Sequence, residues 1–376
     1  MTVTTIIIAS FLLLSLSKVT IGLCFLSKSS TYQSCSYLIK FAPTSQRLKK
    51  HASILYSSVE DSSIIYNNED GNLVDKTKSM LRIGYKFSRP HTIKGTILAS
   101  VMAVTRALIE NPTKLSINLV PRALTGLVAL LCGNAYIVGI NQIYDVKIDE
   151  INKPFLPIAS KMLSEENAWK LVLSCLIIGV SIVKSTFSPA IFALYMTGVL
   201  LGTLYSVPPV QLKRIPIAAG GIIAVVRGFL LNFGVYYAVR EALCIPFVWN
   251  PVVAFISGFM TIFASVIAVT KDLPDIEGDR KYQISTFASR FGVASIAFSS
   301  SCVLAVAYIA AILLPLTPMG SQHFNRLPMM GGHALYLIYF LFSYSRFNPD
   351  SMESLKKFYK AIWTLFYLEY CLYPFI

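Results

Sequence analysis

A chain of 376 residues that is 55% hydrophobic and only 14% charged departs from soluble domains, in which about a quarter of residues are charged. That shortfall, with a mean hydropathy of +0.60, excludes a single water-soluble core and predicts an all-α, polytopic membrane protein. A net charge of +14 would suit nucleic acid, but the lysines and arginines fall in loops between apolar runs. That is the pattern of membrane orientation and of anionic ligands.

Residues 1–59 contain no Asp or Glu but do contain Lys18, Lys28, Lys40, Arg47, Lys49 and Lys50 with many Ser and Thr, the composition of a plastid transit peptide. A secretory signal is the rival reading, because residues 6–17 form a compact apolar run; no charged side chain precedes that run, as one usually does. Residues 60–80 are polar and irregular and read as a disordered linker. From 81 to 376 the apolar runs and their breakers predict about nine spans: 93–109, 117–140, 165–183, 187–206, 215–238, 247–270, 293–315, 328–344 and 358–375. Gly133, Gly139, Gly198, Gly220 and Gly221 lie inside them, where small residues suit close helix approach. The seven cysteines are scattered without CxxC or zinc spacing, so no disulfide framework is implied.

With nine spans, the loops after the even-numbered spans carry twelve Lys and Arg against four in the opposite loops. The basic loops and the mature N-terminus are therefore expected on the stromal side.

Two acidic clusters fall on that side. NQIYDVKIDEINKP (141–154) follows the second span, and KDLPDIEGDRKY (271–282) follows the sixth. Asn141, Asp145 and Asp149 are spaced i, i+4, i+8, one polar stripe if helical, and Asp275 and Asp279 repeat the spacing beside Asp272. Carboxylates stacked at helix C-termini repel one another and the macrodipole, so a cation is expected there. Oxygen ligands suit Mg²⁺, which binds through one or two carboxylates together with substrate phosphates. Lys153, Lys271, Arg280 and Lys281, interleaved with them, would neutralise remaining phosphate charge. Ordinary solvated loops are the rival reading, and two matched clusters on one side weigh against it. Arg227 lies about midway along the fifth span, at a depth where charge marks function. Arg89 precedes the first span and could reach the phosphates, whereas Arg106 and Arg122 lie near enough to span ends to snorkel.

These stretches resemble the two Asp-rich motifs of UbiA-type intramembrane prenyltransferases, and the plant homogentisate, flavonoid and coumarin branch most of all. FSRPHTIKGTILA (87–99), LPIAS (156–160), YSVPPVQLKR (205–214), LLNFGVYYAVR (230–240) and LFYLEYCLYPFI (365–376) carry the same resemblance, over residues 80 to 376 or so. It implies a UbiA-like helical bundle enclosing a central cavity, with Asn141, Asp145, Asp149, Asp272, Asp275 and Asp279 as Mg²⁺ ligands. Asp145, Asp149, Asp275 and Asp279 would be central to catalysis. Tyr205 and Lys213 fall near the family's Tyr…Lys element, and Arg89, Lys153, Lys213, Arg214, Arg227, Lys271, Arg280 and Lys281 are the candidate diphosphate ligands. The expected reaction moves a dimethylallyl or geranyl group from its diphosphate to a phenolic acceptor such as a flavonoid or coumarin. The alternative is a homogentisate geranylgeranyl or phytyl transferase. A membrane transporter is the alternative of another class, but it predicts discontinuous helices and internal repeats, and the sequence halves do not align beyond the two clusters.

Overall fold

The structure, a computed structural model, describes residues 73–114, 116, 119–276, 281 and 286–376. The transit-peptide expectation falls outside the described residues. Description of the expected linker starts at Leu73, where a helix begins: α1, Leu73–Phe87. The chain continues through α2 (Pro90–Glu110), α3 (Leu119–Tyr144), α4 (Val146–Asn152), α5 (Glu165–Thr186), α6 (Pro189–Ser206) and α7 (Pro216–Ala242). It closes with α8 (Pro251–Thr270), α9 (Phe287–Phe291), α10 (Val293–Leu313), α11 (Gly320–His323), α12 (His333–Ser345) and α13 (Met352–Leu372). No strand occurs among the described residues.

Local chemistry explains where these helices start. Pro90, Pro189, Pro216 and Pro251 stand in the first turn of their helices, where a missing N–H has no partner to lose. The Ser164 hydroxyl accepts from the Asn167 N–H, and Asn250 Oδ1 accepts from the Val252 N–H at 2.8 Å, satisfying donors the helix leaves open.

Among the described residues, seven helices are long and apolar enough to cross a bilayer: α2, α3, α5, α6, α7, α8 and α10 extended to Leu316. The expected eighth and ninth spans are helical but different in kind. A π-helical turn over Leu327–Gly332 leaves α12 only 13 residues of regular helix, and α13 carries Glu353, Lys356, Lys357, Lys360 and Glu369.

Two larger apolar clusters divide the bundle. One joins Phe87 and Ile93 to α3 and α5 through Leu131, Cys132 and Val172. The other joins α8, α10 and α13 through Met260, Phe263, Leu304 and Phe366. Between them lies a cavity of about 1380 Å³ walled by α2, α3, α6, α7, α8 and α13. The glycine expectation holds in part. Gly139 faces Phe87 and Val172 where a Cβ would collide, and Gly133 lies tight against Tyr195. Gly198, Gly220 and Gly221 meet nothing within 4 Å. A close helix approach falls instead at Gly228, against the Thr261 backbone, which joins α7 to α8. Arg106 and Arg122 are ion-paired, not snorkelling alone: Arg106 with Glu110 at 2.7 Å, Arg122 with Glu241 at 2.8 Å.

Candidate active site

The first motif is a stripe folded over a kink. α3 ends at Tyr144, and Asp145, with φ −111° and ψ 12°, leaves the helix before α4 begins. The Asp145 carbonyl accepts from the Asp149 N–H at 2.8 Å, so the register survives and the three polar side chains stay aligned. Asn141 Nδ2 donates to Asp145 Oδ2 at 2.9 Å. Gln142, one position on, points the other way and donates to the Phe87 carbonyl at 2.7 Å. This anchors the end of α1 just before Arg89. Arg89 sits at φ 52°, a left-handed conformation unusual for a non-glycine residue. From there its Nη2 donates to Asn141 Oδ1 at 3.1 Å and lies 3.8 Å from Asp149 Oδ2.

The second motif meets the first. Past Thr270 the chain leaves α8 in a turn spanning Lys271 to Asp275. Lys153 Nζ donates to Asp275 Oδ2 at 2.5 Å and lies 3.9 Å from Asp149 Oδ1. Lys213 Nζ donates to Asp145 Oδ1 at 2.5 Å. Lys271 Nζ donates to the Tyr205 hydroxyl at 2.7 Å and lies 3.7 Å from Asp272. Asp145, Asp149, Asp272 and Asp275 thus face Arg89, Lys153, Lys213 and Lys271 in a ring of opposite charges lining one mouth of the cavity.

Arg214 lines the same cavity but is exposed, and Lys281 is exposed outside it. Arg227 lines the wall and touches none of the carboxylates, lying instead over the Trp363 ring at 5.8 Å. Asp279 and Arg280 lie outside the described residues.

Burial governs the electrostatics. Asp149 is only 4% exposed, and desolvation raises its pKa despite Arg89 and Lys153 nearby. Desolvation likewise raises Asp272 against the pull of Lys271. Burial alone would lower Lys271, but Tyr205 and Asp272 outweigh it and hold the ammonium protonated. Among the described residues no three His, Cys, Asp or Glu groups form a ready-made metal cage, because lysines separate the carboxylates. The donor set is nonetheless all hard oxygen, and the buried Asp149 Oδ2 has no hydrogen-bond partner.

Sequence reasoning left three partners unassigned. Tyr205 serves Lys271 instead of Lys213; Gln142 positions the turn that carries Arg89; Glu241 holds Arg122. The Asn-Gln dipeptide carried a usable signal, since adjacent helical residues point about 100° apart and cannot face the same side.

Across known proteins, residues 97–367 match the model of the UbiA prenyltransferase family. The chain is 52% identical over 309 residues to "Probable homogentisate phytyltransferase 2, chloroplastic" of Oryza sativa subsp. japonica, covering 81% of this chain and 80% of that one. It is 49% identical over 310 residues to "Homogentisate solanesyltransferase, chloroplastic" of Arabidopsis thaliana, covering 82% and 80%. A solved UbiA homolog from Archaeoglobus fulgidus, bound to GPP and Mg²⁺, superposes with a TM-score of 0.53 at 17% identity, covering 76% of this chain and 96% of that one. That level of identity speaks for the fold. The chain belongs to the UbiA prenyltransferase family and is a membrane-embedded enzyme that transfers prenyl groups.

Proposed function

We propose that this enzyme transfers a long prenyl group from its diphosphate to homogentisate in a plastid membrane, with Mg²⁺ required. The observation that carries the acceptor is the similarity to the two plant relatives, both named for homogentisate and both matched over about four fifths of their length. This favours the alternative in the sequence reading over a flavonoid or coumarin acceptor. The same two names, phytyl and solanesyl, favour a long donor over dimethylallyl or geranyl. The cavity supports that choice: its α2 wall runs from Pro90 to Leu108, about 27 Å at 1.5 Å per residue.

The four carboxylates with Asn141 would hold Mg²⁺, which supplies charge neutralisation for the departing diphosphate. Arg89, Lys153, Lys213 and Lys271 would then be free to donate to phosphate oxygens. The C1–O bond of the donor breaks, releasing diphosphate; a ring carbon of the acceptor bonds to C1; and the proton on that carbon passes to a motif carboxylate or to the released diphosphate. The apolar walls keep water from the allylic cation. The positive-inside count supports the mouth facing the stroma.

The test uses membranes containing the protein, Mg²⁺, and a matrix of acceptors and donors. Prenylated homogentisate from phytyl, geranylgeranyl or solanesyl diphosphate is the expected product. Turnover of flavonoids or coumarins with homogentisate untouched overturns the reading.

A further inference from the structure

Arg227 differs from the cations around the acidic motifs. Eleven residues into the 27-residue α7, it is near mid-membrane, where an uncompensated charge is costly. Arg89, Lys153, Lys213 and Lys271 each contact a motif carboxylate or Tyr205. Arg122, at the far end, is held by Glu241. Arg227 has no carboxylate partner among the described residues, and its guanidinium lies over the Trp363 ring at 5.8 Å.

Three features fix it there. The segment Ala224–Leu230 is π-helical, a local widening often found at functional sites because it shifts the register of one side chain. Next to it, Gly228 presses against the Thr261 backbone, so α7 cannot rotate without losing its seat on α8. Trp363, which faces the guanidinium, is itself buried and set edge-on against His91, with centroids 5.0 Å apart.

His91, Tyr359 and Trp363 line the same cavity wall as Arg227. Tyr359, one helical turn before Trp363 on α13, has Lys271, Asp275 and Arg227 as its charged neighbours. Tyr359 packs on Trp363 with ring centroids 6.4 Å apart, and Trp363 packs on His91 in turn. A flat aromatic acceptor lying in the cavity against this wall would therefore be within reach of Arg227 and of the charged groups near Tyr359. The cations at the mouth are matched to the donor. The guanidinium inside lacks an anion.

We propose that Arg227 binds the carboxylate of an aromatic-acid acceptor, and so selects acids over neutral phenols, instead of binding the donor diphosphate as its basic character alone suggested. The inference rests on the homogentisate reading above. An Arg–carboxylate pair in this apolar wall is strong because it forms two parallel hydrogen bonds and is little screened. It also orients the ring so that one carbon faces the donor.

The experiment compares homogentisate with its methyl ester, which keeps the ring and both hydroxyls but lacks the charge. Wild type is expected to prefer the acid by at least tenfold in kcat/KM. Arg227→Met should raise KM for homogentisate tenfold or more, leave KM for the prenyl diphosphate within twofold, and erase the preference for acid over ester. Arg227→Lys, which keeps the charge and has less risk of misfolding, should retain the acid preference at a reduced ratio. Binding of labelled homogentisate to detergent-purified protein, without donor, should weaken in the same order. A wild type that ignores homogentisate overturns the functional reading and this inference together. A wild type that uses homogentisate, combined with an Arg227→Met variant whose donor KM rises in step or whose acid-to-ester ratio is unchanged, overturns this inference alone.

Discussion

Lys153, on the stretch that follows the first acidic motif, places its Nζ 2.5 Å from Asp275 Oδ2 of the second motif, across 122 residues of chain. The same ammonium lies 3.9 Å from Asp149. One side chain thus ties the two halves of the site together, and it occupies space between carboxylates that Mg²⁺ would also claim.

Removing the anionic groups should stop the reaction without unfolding the bundle. Asp145→Asn and Asp275→Asn are each expected to reduce prenyl transfer by about 100-fold or more. Lys153→Met, which disturbs the spacing of the carboxylates, should lower it by about tenfold. Radiolabelled prenyl transfer in membranes, normalised to folded protein by size exclusion, measures both.

Arg89 should matter for stability as well as activity. Arg89→Ala leaves the buried Asp149 with Lys153 at 3.9 Å as its cationic neighbour, and is expected to destabilise the protein by about 2 kcal/mol. Adding Asp149→Asn removes the stranded charge and should recover part of that loss. A double-mutant cycle of thermal unfolding in detergent reads the coupling.

Acid pH should act in opposite directions on stability and on activity. Burial raises Asp149 and Asp272 above the ordinary carboxyl value, so the folded protein binds protons more tightly than the unfolded chain. Between that raised value and the usual carboxyl pKa of about 4, stability of the metal-free protein should increase as pH falls. Over the same window activity should drop, since the protonated carboxyls can no longer serve as anions. Asp149→Asn should show a smaller stability gain on acidification. Parallel melting and turnover curves from pH 8 to pH 5 test the two signs.

Glycine substitutions should separate contact from open space. Gly228→Ala forces a Cβ into the Thr261 backbone and should cost about 1–3 kcal/mol. Gly221→Ala, seven positions earlier with nothing within 4 Å, should be neutral or stabilise by up to about 1 kcal/mol through helix propensity. Melting temperatures of the purified variants decide it.

Much of the site was legible because it is local. The i, i+4, i+8 spacing from Asn141 to Asp149 survived the kink at Asp145, since a carbonyl bond across the break preserves the register. The prolines that open α2, α6, α7 and α8 were also readable as breakers between apolar runs. Partnerships were not legible. The resemblance sets Tyr205 beside Lys213 in a Tyr…Lys element, yet the hydroxyl receives its hydrogen bond from Lys271, 66 residues away. Gly198, Gly220 and Gly221 looked like packing positions, but spacing along a helix does not say which side the neighbour occupies.

The sequence by itself determined the membrane class, the helical segments and the identity of the two acidic groups, because hydropathy, helix breakers and i, i+4 periodicity depend only on nearby residues. Tertiary structure alone decided which cation neutralises which carboxylate, where the cavity runs, and that Arg227 is left facing it without a counter-charge among the described residues. Those outcomes depend on how helices distant in sequence pack, and on distances of a few ångströms over which electrostatic energies change steeply.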